Sequence, residues 1–199
     1  MTKSRLEAFS DGVIAILITI MVLEFKVPHG HDLASLRPLA HLFAAYILSF
    51  IYIGIYWNNH HHMFQLVKRV SGGVLWANLH LLFWLSLISF ATAWAAETGF
   101  AALPVALYGV VLAGAGTAYF ILAALLMRLQ GEDSLLRRAL SGQWKEKVSI
   151  VLYPLAIALA FWNSWVSCAI YVGVALLWLV PDTRIERHLE ANENAASSE

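Results

Sequence analysis

The stretch RLEAFSDGVIAILITIMVLEF, residues 5–25, decides the fold, because it joins a long apolar run to polar side chains at its start. A helix crosses the hydrocarbon core of a bilayer with about 20 mostly apolar residues, and this run is of that length. Arg5, Ser10 and Asp11 stand at its entrance. Polar groups at such a position are costly unless they find partners. The stretch therefore predicts a membrane-spanning helix whose polar end is held by neighbouring helices.

The composition extends this prediction to the whole chain. Its 199 residues are 60% hydrophobic and only 13% charged, and the mean hydropathy is +0.67. Soluble domains carry about 25% charged residues. The sequence therefore predicts an all-α integral membrane protein in a lipid bilayer. The formal net charge of zero gives no indication of a nucleic-acid partner, and the single cysteine excludes an intrachain disulfide.

Six apolar runs are long enough to be read as spans. They lie near residues 8–27, 39–58, 72–94, 103–127, 147–162 and 164–181. Only WNSW, residues 162–165, separates the last two, and it predicts a tight hairpin between them. We expect one membrane domain over residues 1–187, followed by a polar, disordered tail over residues 188–199.

The basic residues predict the orientation. Of the 13 lysines and arginines, only Lys26 and Arg37 fall on one side of the predicted bundle, and the other 11 fall on the opposite side. Cytoplasmic loops carry such an excess, so both termini are expected in the cytoplasm. The longest loop on that side, GEDSLLRRALSGQWKEK at residues 131–147, predicts a short interfacial helix capped by Asp133 or Ser134.

A helical wheel divides the first span into two faces. One face carries an apolar stripe within about 40° of Ile16; its members are Gly12, Ile16, Ile20, Leu23 and Val27. Thr19 lies about 60° from Ile16, whereas Ser10 and Asp11 point away at about 120° and 140°. The stripe fits a pore lining and a buried packing face equally well, and the pattern alone leaves both open.

Ser10 and Asp11 need hydrogen-bonding partners on the next two spans. The candidates at matching depth are Trp57, His60, His61 and Asn78. We expect a structural polar network that anchors the first helix. The alternatives are a proton-coupled carrier, in which Asp11 and a histidine exchange protons, and a membrane scaffold without transport.

No motif indicates an enzyme, a metal site or a cofactor. The sequence has no HExxH, no GxSxG and no phosphate-binding glycine loop. Three consecutive histidines, residues 60–62, point in different directions on a helix, whereas metal ligands must converge. We therefore expect neither a resident metal nor a cofactor.

Several segments resemble a known family. Arg5 followed by Phe9, Ser10 and Asp11 matches an RxxxFSD motif at the head of the first span. The segments SFIYIGIYWNNHHHMF (49–64), WANLHLLFWLSLISFATAW (76–94) and WLVPDTRIE (178–186) add to the match. Together they resemble bacterial members of the potassium channels related to the lysosomal transmembrane-protein-175 channel. One departure is Ser89, where family members often have proline, and it leaves the bend of the third helix open.

The resemblance implies a potassium-permeable cation channel in the bacterial inner membrane. Such channels are homotetramers of six-helix subunits, and the first helix of each subunit lines a central pore. The TVGYG filter is absent from the family and from this sequence. By position after the FSD motif, Ile16, Ile20 and Leu23 correspond to hydrophobic rings, with the Thr19 hydroxyl between them.

The same resemblance adds two expectations at the polar end. Ser10 and Asp11 would hold the pore helix against the second and third helices, while Arg5 either faces the pore mouth or joins that network. Animal relatives conduct protons, so proton conduction through Asp11 and the histidines is the alternative function.

Overall fold

All the regular secondary structure in the described part of the chain is helical. The computed structural model describes residues 2–131, 134–140 and 144–179, except for the side chains of residues 138–140. Seven α-helices are present there: α1 (Lys3–Ile20), α2 (Ala40–Gln65), α3 (Gly72–Glu97), α4 (Ala102–Gln130), α5 (Leu135–Leu140), α6 (Trp144–Leu159) and α7 (Ser164–Leu179). The predicted Asp133 cap, the end of the last predicted span and the predicted tail lie outside these residues.

Four of the described helical segments are long and apolar enough to cross a membrane. They are Lys3–Glu24, Leu33–Gln65, Gly72–Glu97 and Ala102–Gln130. The helices α6 and α7 each have 16 described residues, about 24 Å at 1.5 Å per residue, which is shorter than a hydrocarbon core of about 30 Å. Four of the six predicted spans thus meet the length requirement among the described residues.

The first predicted span differs from the helix that forms. The helix α1 begins at Lys3, five residues before the predicted start at residue 8, and its α-helical part ends at Ile20. A 3-10 helix follows over Met21–Glu24, and Phe25 after it has an extended backbone. The tighter winding changes the angle per residue, so a wheel at 100° per residue applies only as far as Ile20.

The core of the bundle lies between α3 and α4, which make the most extensive contact of any helix pair. Small side chains allow this close approach. A Cβ at Gly114 of α4 would collide with the indole ring of Trp84 on α3. The helix α1 packs against α2 and α3, while α6 and α7 pack against α4 and against each other.

The basic segments meet at one end of the bundle. The Lys3 ammonium donates to the carbonyl of Gln65, 3.3 Å away. The Gln130 side chain accepts from the Lys68 backbone at 3.0 Å and donates to the Arg69 carbonyl at 2.8 Å. The start of α1, the α2–α3 connection and the end of α4 are therefore adjacent, as a common cytoplasmic side requires.

Two connections have the form expected from their residues. At the start of α5 the Ser134 hydroxyl accepts from the backbone of Arg137 at 3.3 Å, so Ser134 provides a cap. Between α6 and α7 the chain turns over residues 160–163. There the Asn163 side chain accepts from the Trp165 backbone at 3.0 Å.

Ser89 lies within an uninterrupted helix. The helix α3 runs from Gly72 to Glu97 through this residue, so serine allows a regular helix where proline would remove a hydrogen bond. The Ser89 hydroxyl is buried and has no hydrogen-bond partner among the described residues.

Candidate functional site: the first helix and its polar anchor

The two faces of α1 differ sharply in burial within the subunit. Ile14 is 1% exposed and Leu17 is 6% exposed, because both pack into the core. Ile16 is 59% exposed and Ile20 is 40% exposed on the opposite face. The apolar stripe is therefore not a packing face within this subunit, and it is left for lipid or for another copy of the chain.

The remaining members of the stripe follow the same pattern. Gly12 is exposed, and Leu23 and Val27 are 78% and 85% exposed. Thr19, beside the stripe, is exposed as well. The Thr19 hydroxyl lies 2.9 Å from the Ala15 carbonyl and 3.0 Å from the Ile16 carbonyl. Its proton is thus held by its own helix, while its oxygen lone pairs are free to accept.

A buried chain of hydrogen bonds joins α1 to α3 and α2. The Asn78 amide nitrogen donates to the Ser10 hydroxyl at 2.9 Å, and Ser10 donates to the Leu6 carbonyl at 2.9 Å. The Asn78 amide oxygen lies 2.8 Å from Nε2 of His60. Because that oxygen accepts, Nε2 of His60 carries the proton. Ser10 and Asn78 are fully buried and His60 is 1% exposed. These buried groups therefore serve as hydrogen-bond partners for one another.

A second, more exposed contact joins α1 to α2. The Trp57 indole nitrogen donates to a carboxylate oxygen of Asp11 at 3.0 Å. The Trp57 ring stacks on His61 with centroids 5.9 Å apart and an interplanar angle of 18°. Trp57 is 44% exposed. The predicted network is thus divided into a buried chain through Ser10 and an exposed pair through Asp11.

Arg5 and two of the three consecutive histidines, His61 and His62, are placed apart from the buried chain. Arg5 is exposed, and no hydrogen bond or ion pair joins it to the described residues. Each histidine has its own neighbours: His60 faces Asn78, His61 lies 3.0 Å from the Gln65 side chain, and His62 lies 3.4 Å from the same side chain. Within the described ranges no group of three or more metal-ligating side chains converges.

One buried polar cluster was missed by the sequence reasoning. The Ser49 hydroxyl on α2 lies 2.6 Å from the Thr92 hydroxyl on α3 and 2.9 Å from the Tyr108 hydroxyl on α4. Thr92 also donates to the Ile88 carbonyl at 2.6 Å. Single hydroxyls inside apolar runs have no characteristic spacing, so the sequence offers no signal for this contact between three helices.

These features define a class: a multi-pass helical membrane protein whose first helix is anchored by polar groups and presents an apolar face outwards. Residues 5–88 match the family model described as endosomal/lysosomal potassium channel TMEM175. A protein named as a potassium channel from Chryseobacterium sp. (strain P1-3) is 56% identical over 192 residues, which cover 96% of this chain and 100% of that protein. The chain belongs to the TMEM175 family, a family of ion channels.

Two further similarities extend the comparison. A crystal structure described as a lysosomal potassium-selective channel TMEM175 homologue from Chamaesiphon minutus has a TM-score of 0.77 and 30% identity, covering 88% of this chain and 95% of that chain. The chicken protein named endosomal/lysosomal proton channel TMEM175 is 36% identical over 83 residues, which are 36% of this chain and 17% of that protein.

Proposed function

We propose that this chain forms a potassium-permeable cation channel whose pore is lined by α1 from four copies. In this arrangement Ile16, Ile20 and Leu23 form hydrophobic rings, and Thr19 places hydroxyl oxygens between them. Rings of this kind control permeation through the wetting of the constriction. The pore residues work without a metal or cofactor, and the permeant ions are potassium and other monovalent cations.

The observation that carries this proposal is the exposed apolar face of α1. The buried Ser10, Asn78 and His60 chain holds α1 to its own subunit near the middle of the helix, while the Ile16 face stays exposed. A pore helix needs such an anchor, because the separation of the four copies at Ile16 sets the width of the path. Similarity to proteins named as potassium channels supports the same function.

The proposed assembly has six crossings per subunit, with α6 and α7 as the last two. The basic residues near Lys3, Lys68 and Arg128 then face the cytoplasm, which places both termini there and the channel in a bacterial inner membrane. The adjacency of these basic segments at one end of the bundle supports this orientation. Arg5, exposed on the side of α1 that carries Ile16, lies at the cytoplasmic mouth of the pore.

The test is potassium flux through purified protein in liposomes, combined with the native mass of the detergent-solubilised protein. We expect potassium uptake that is driven by the potassium gradient, and a native mass of four subunits. Empty liposomes prepared in parallel give the potassium leak of the bilayer itself. A folded protein that passes no potassium, or one that is a monomer in both detergent and bilayer, would contradict the proposal.

Proton conduction is the second candidate function. It is favoured by the position of Asp11 on α1, whose carboxylate accepts a hydrogen bond from Trp57, stacked on His61 of α2, and by the name of the chicken relative. A pH-sensitive dye inside the same liposomes distinguishes the two. Acidification that is driven by a proton gradient and lost in Asp11→Asn supports proton conduction; potassium flux that persists in that variant supports the hydrophobic pore.

A further inference from the structure

A cavity of about 370 Å³ lies on the side of the subunit away from α1. It is bounded by α2, α4 and α6, with one residue from α7. Six of its fifteen lining residues are aromatic: Tyr52, Tyr56, Tyr119, Phe120, Tyr153 and Trp178. Its volume falls in the range of small-molecule sites, about 300–1,000 Å³. The cavity is therefore of a size and character that suit a small organic ligand.

One charged residue, Glu146, is among the residues that line this cavity. It lies in the first turn of α6 and is half-buried. Among the residues that the structure describes, the ion pair found joins Lys3 to Glu7. None in this part of the chain involves the Glu146 carboxylate. A carboxylate with no counter-ion among the described residues, beside aromatic walls, favours a cation over an anion or a neutral ligand.

The aromatic wall of the cavity already holds a cation at its edge. The Lys145 ammonium lies 6.0 Å from the centre of the Trp178 ring. The indole nitrogen of Trp178 donates to the Ser149 hydroxyl at 2.9 Å, and Ser149 donates to the Lys145 carbonyl at 2.9 Å. These bonds fix the ring against α6, so its face is preorganised for cation–π contact.

Gly116 lines the cavity where two of its tyrosines meet α4. A Cβ added at Gly116 of α4 would have only ordinary contacts, 3.6 Å from the Tyr56 hydroxyl and 3.8 Å from the Tyr153 ring. Gly114, two residues earlier, is closed by Trp84. Gly116 therefore packs against two of the tyrosines that line the cavity, and a larger side chain there would intrude among them.

We propose that this cavity binds a hydrophobic organic cation, in which an ammonium group pairs with Glu146 and an aromatic or aliphatic body packs among the tyrosines and Trp178. This site is separate from the α1 stripe, and its occupancy does not depend on ion conduction. The chemical class is a quaternary or protonated amine that carries an apolar group.

The test is equilibrium dialysis of benzyltrimethylammonium against the full chain in lipid nanodiscs, with empty nanodiscs subtracted. The comparison ligand is neopentylbenzene, which has the same shape without the charge. We expect saturable binding of the cation at one site per subunit, and at least tenfold weaker binding of the neutral compound. Equal binding of both would identify a cavity for apolar chains and would overturn the proposal.

Two variants place the binding in this cavity. Glu146→Gln keeps the size of the side chain and is expected to weaken binding of the cation about tenfold. Gly116→Leu fills the space and is expected to abolish it. Glu97→Gln, an exposed acid at the end of α3, serves as the matched control and should leave binding unchanged. Binding to a variant is compared with binding to the wild type only where the two proteins have the same size-exclusion profile. Binding that survives both cavity changes would locate the ligand elsewhere and would reject the proposal.

Discussion

Replacing Ile16 by asparagine is expected to raise cation flux through reconstituted protein about tenfold and to reduce its preference for potassium over sodium. Four copies of an apolar side chain at one level of a pore exclude water when the path is narrow. Four amides at the same level supply donors and acceptors that keep water there. A tenfold rise corresponds to a barrier lowered by about 1.4 kcal/mol. The measurement is potassium and sodium flux in liposomes at matched protein content.

Leu176→Asn provides a closely matched control. Leu176 on α7 is 59% exposed, the same fraction as Ile16, and the substitution makes the same change from an aliphatic to an amide side chain. It places the amide on a helix outside the proposed pore. Flux should therefore remain at the wild-type level in Leu176→Asn. Equal effects of the two substitutions would mean that the change acts through general disturbance of the bundle, and the pore assignment of Ile16 would be lost.

Asn78→Ala is expected to lower the free energy of unfolding by about 2 kcal/mol. Asn78 is the central member of the buried chain, since it donates to Ser10 and accepts from His60. Its removal takes one partner from each of two buried polar groups: Nε2 of His60 loses its acceptor, and Ser10 keeps only its bond to the Leu6 carbonyl. Interhelical hydrogen bonds in membranes contribute about 0.6 kcal/mol on average, so the greater part of the loss comes from the unpaired groups. Chemical unfolding in detergent, followed by circular dichroism, gives the change.

Asn59→Ala is the control for this change. The Asn59 amide donates at 2.8 Å to the carbonyl of Ile55, within its own helix, and the residue is half-buried. Its loss should cost less than about 1 kcal/mol, because α2 retains its backbone bonds. If both alanine variants lose the same stability, the chain through Asn78 is not the anchor of α1. A stable Asn78→Ala protein with altered flux would assign the network to pore geometry alone.

Much of the architecture could be predicted because membrane helices are constrained by length and polarity. The start of α3 after Ser71 is one example, since the Ser71 hydroxyl accepts from the Val74 backbone at 3.4 Å. The ends of α1 were harder. Its first turn around Lys3 is polar and extends beyond the apolar run, and its last turn tightens from Met21 onwards. Apolar runs mark hydrocarbon, whereas helices continue where their backbone bonds are satisfied.

The polar anchor could be predicted as a set of residues but not as a set of pairs. Spacing indicated that Ser10 and Asp11 leave the stripe in different directions, yet it did not separate the partner of each. Packing places Asn78 against Ser10 and Trp57 against Asp11. Glu146 gave no signal in sequence, because it is one of three acidic residues in a basic loop, which is an ordinary composition. Only the cavity beside it makes the residue conspicuous.

The most direct test of the central claim, that the exposed stripe of α1 lines the pore, is block by silver ions of a cysteine at position 16. Ag⁺ is small, carries a single positive charge and reacts with thiols that water reaches. The native Cys168 is first replaced by alanine, and Ile16→Cys is compared with Leu176→Cys in that background. Silver is expected to stop potassium flux in Ile16→Cys and to leave Leu176→Cys unaffected. Flux that continues unchanged in silver-treated Ile16→Cys protein would contradict the claim.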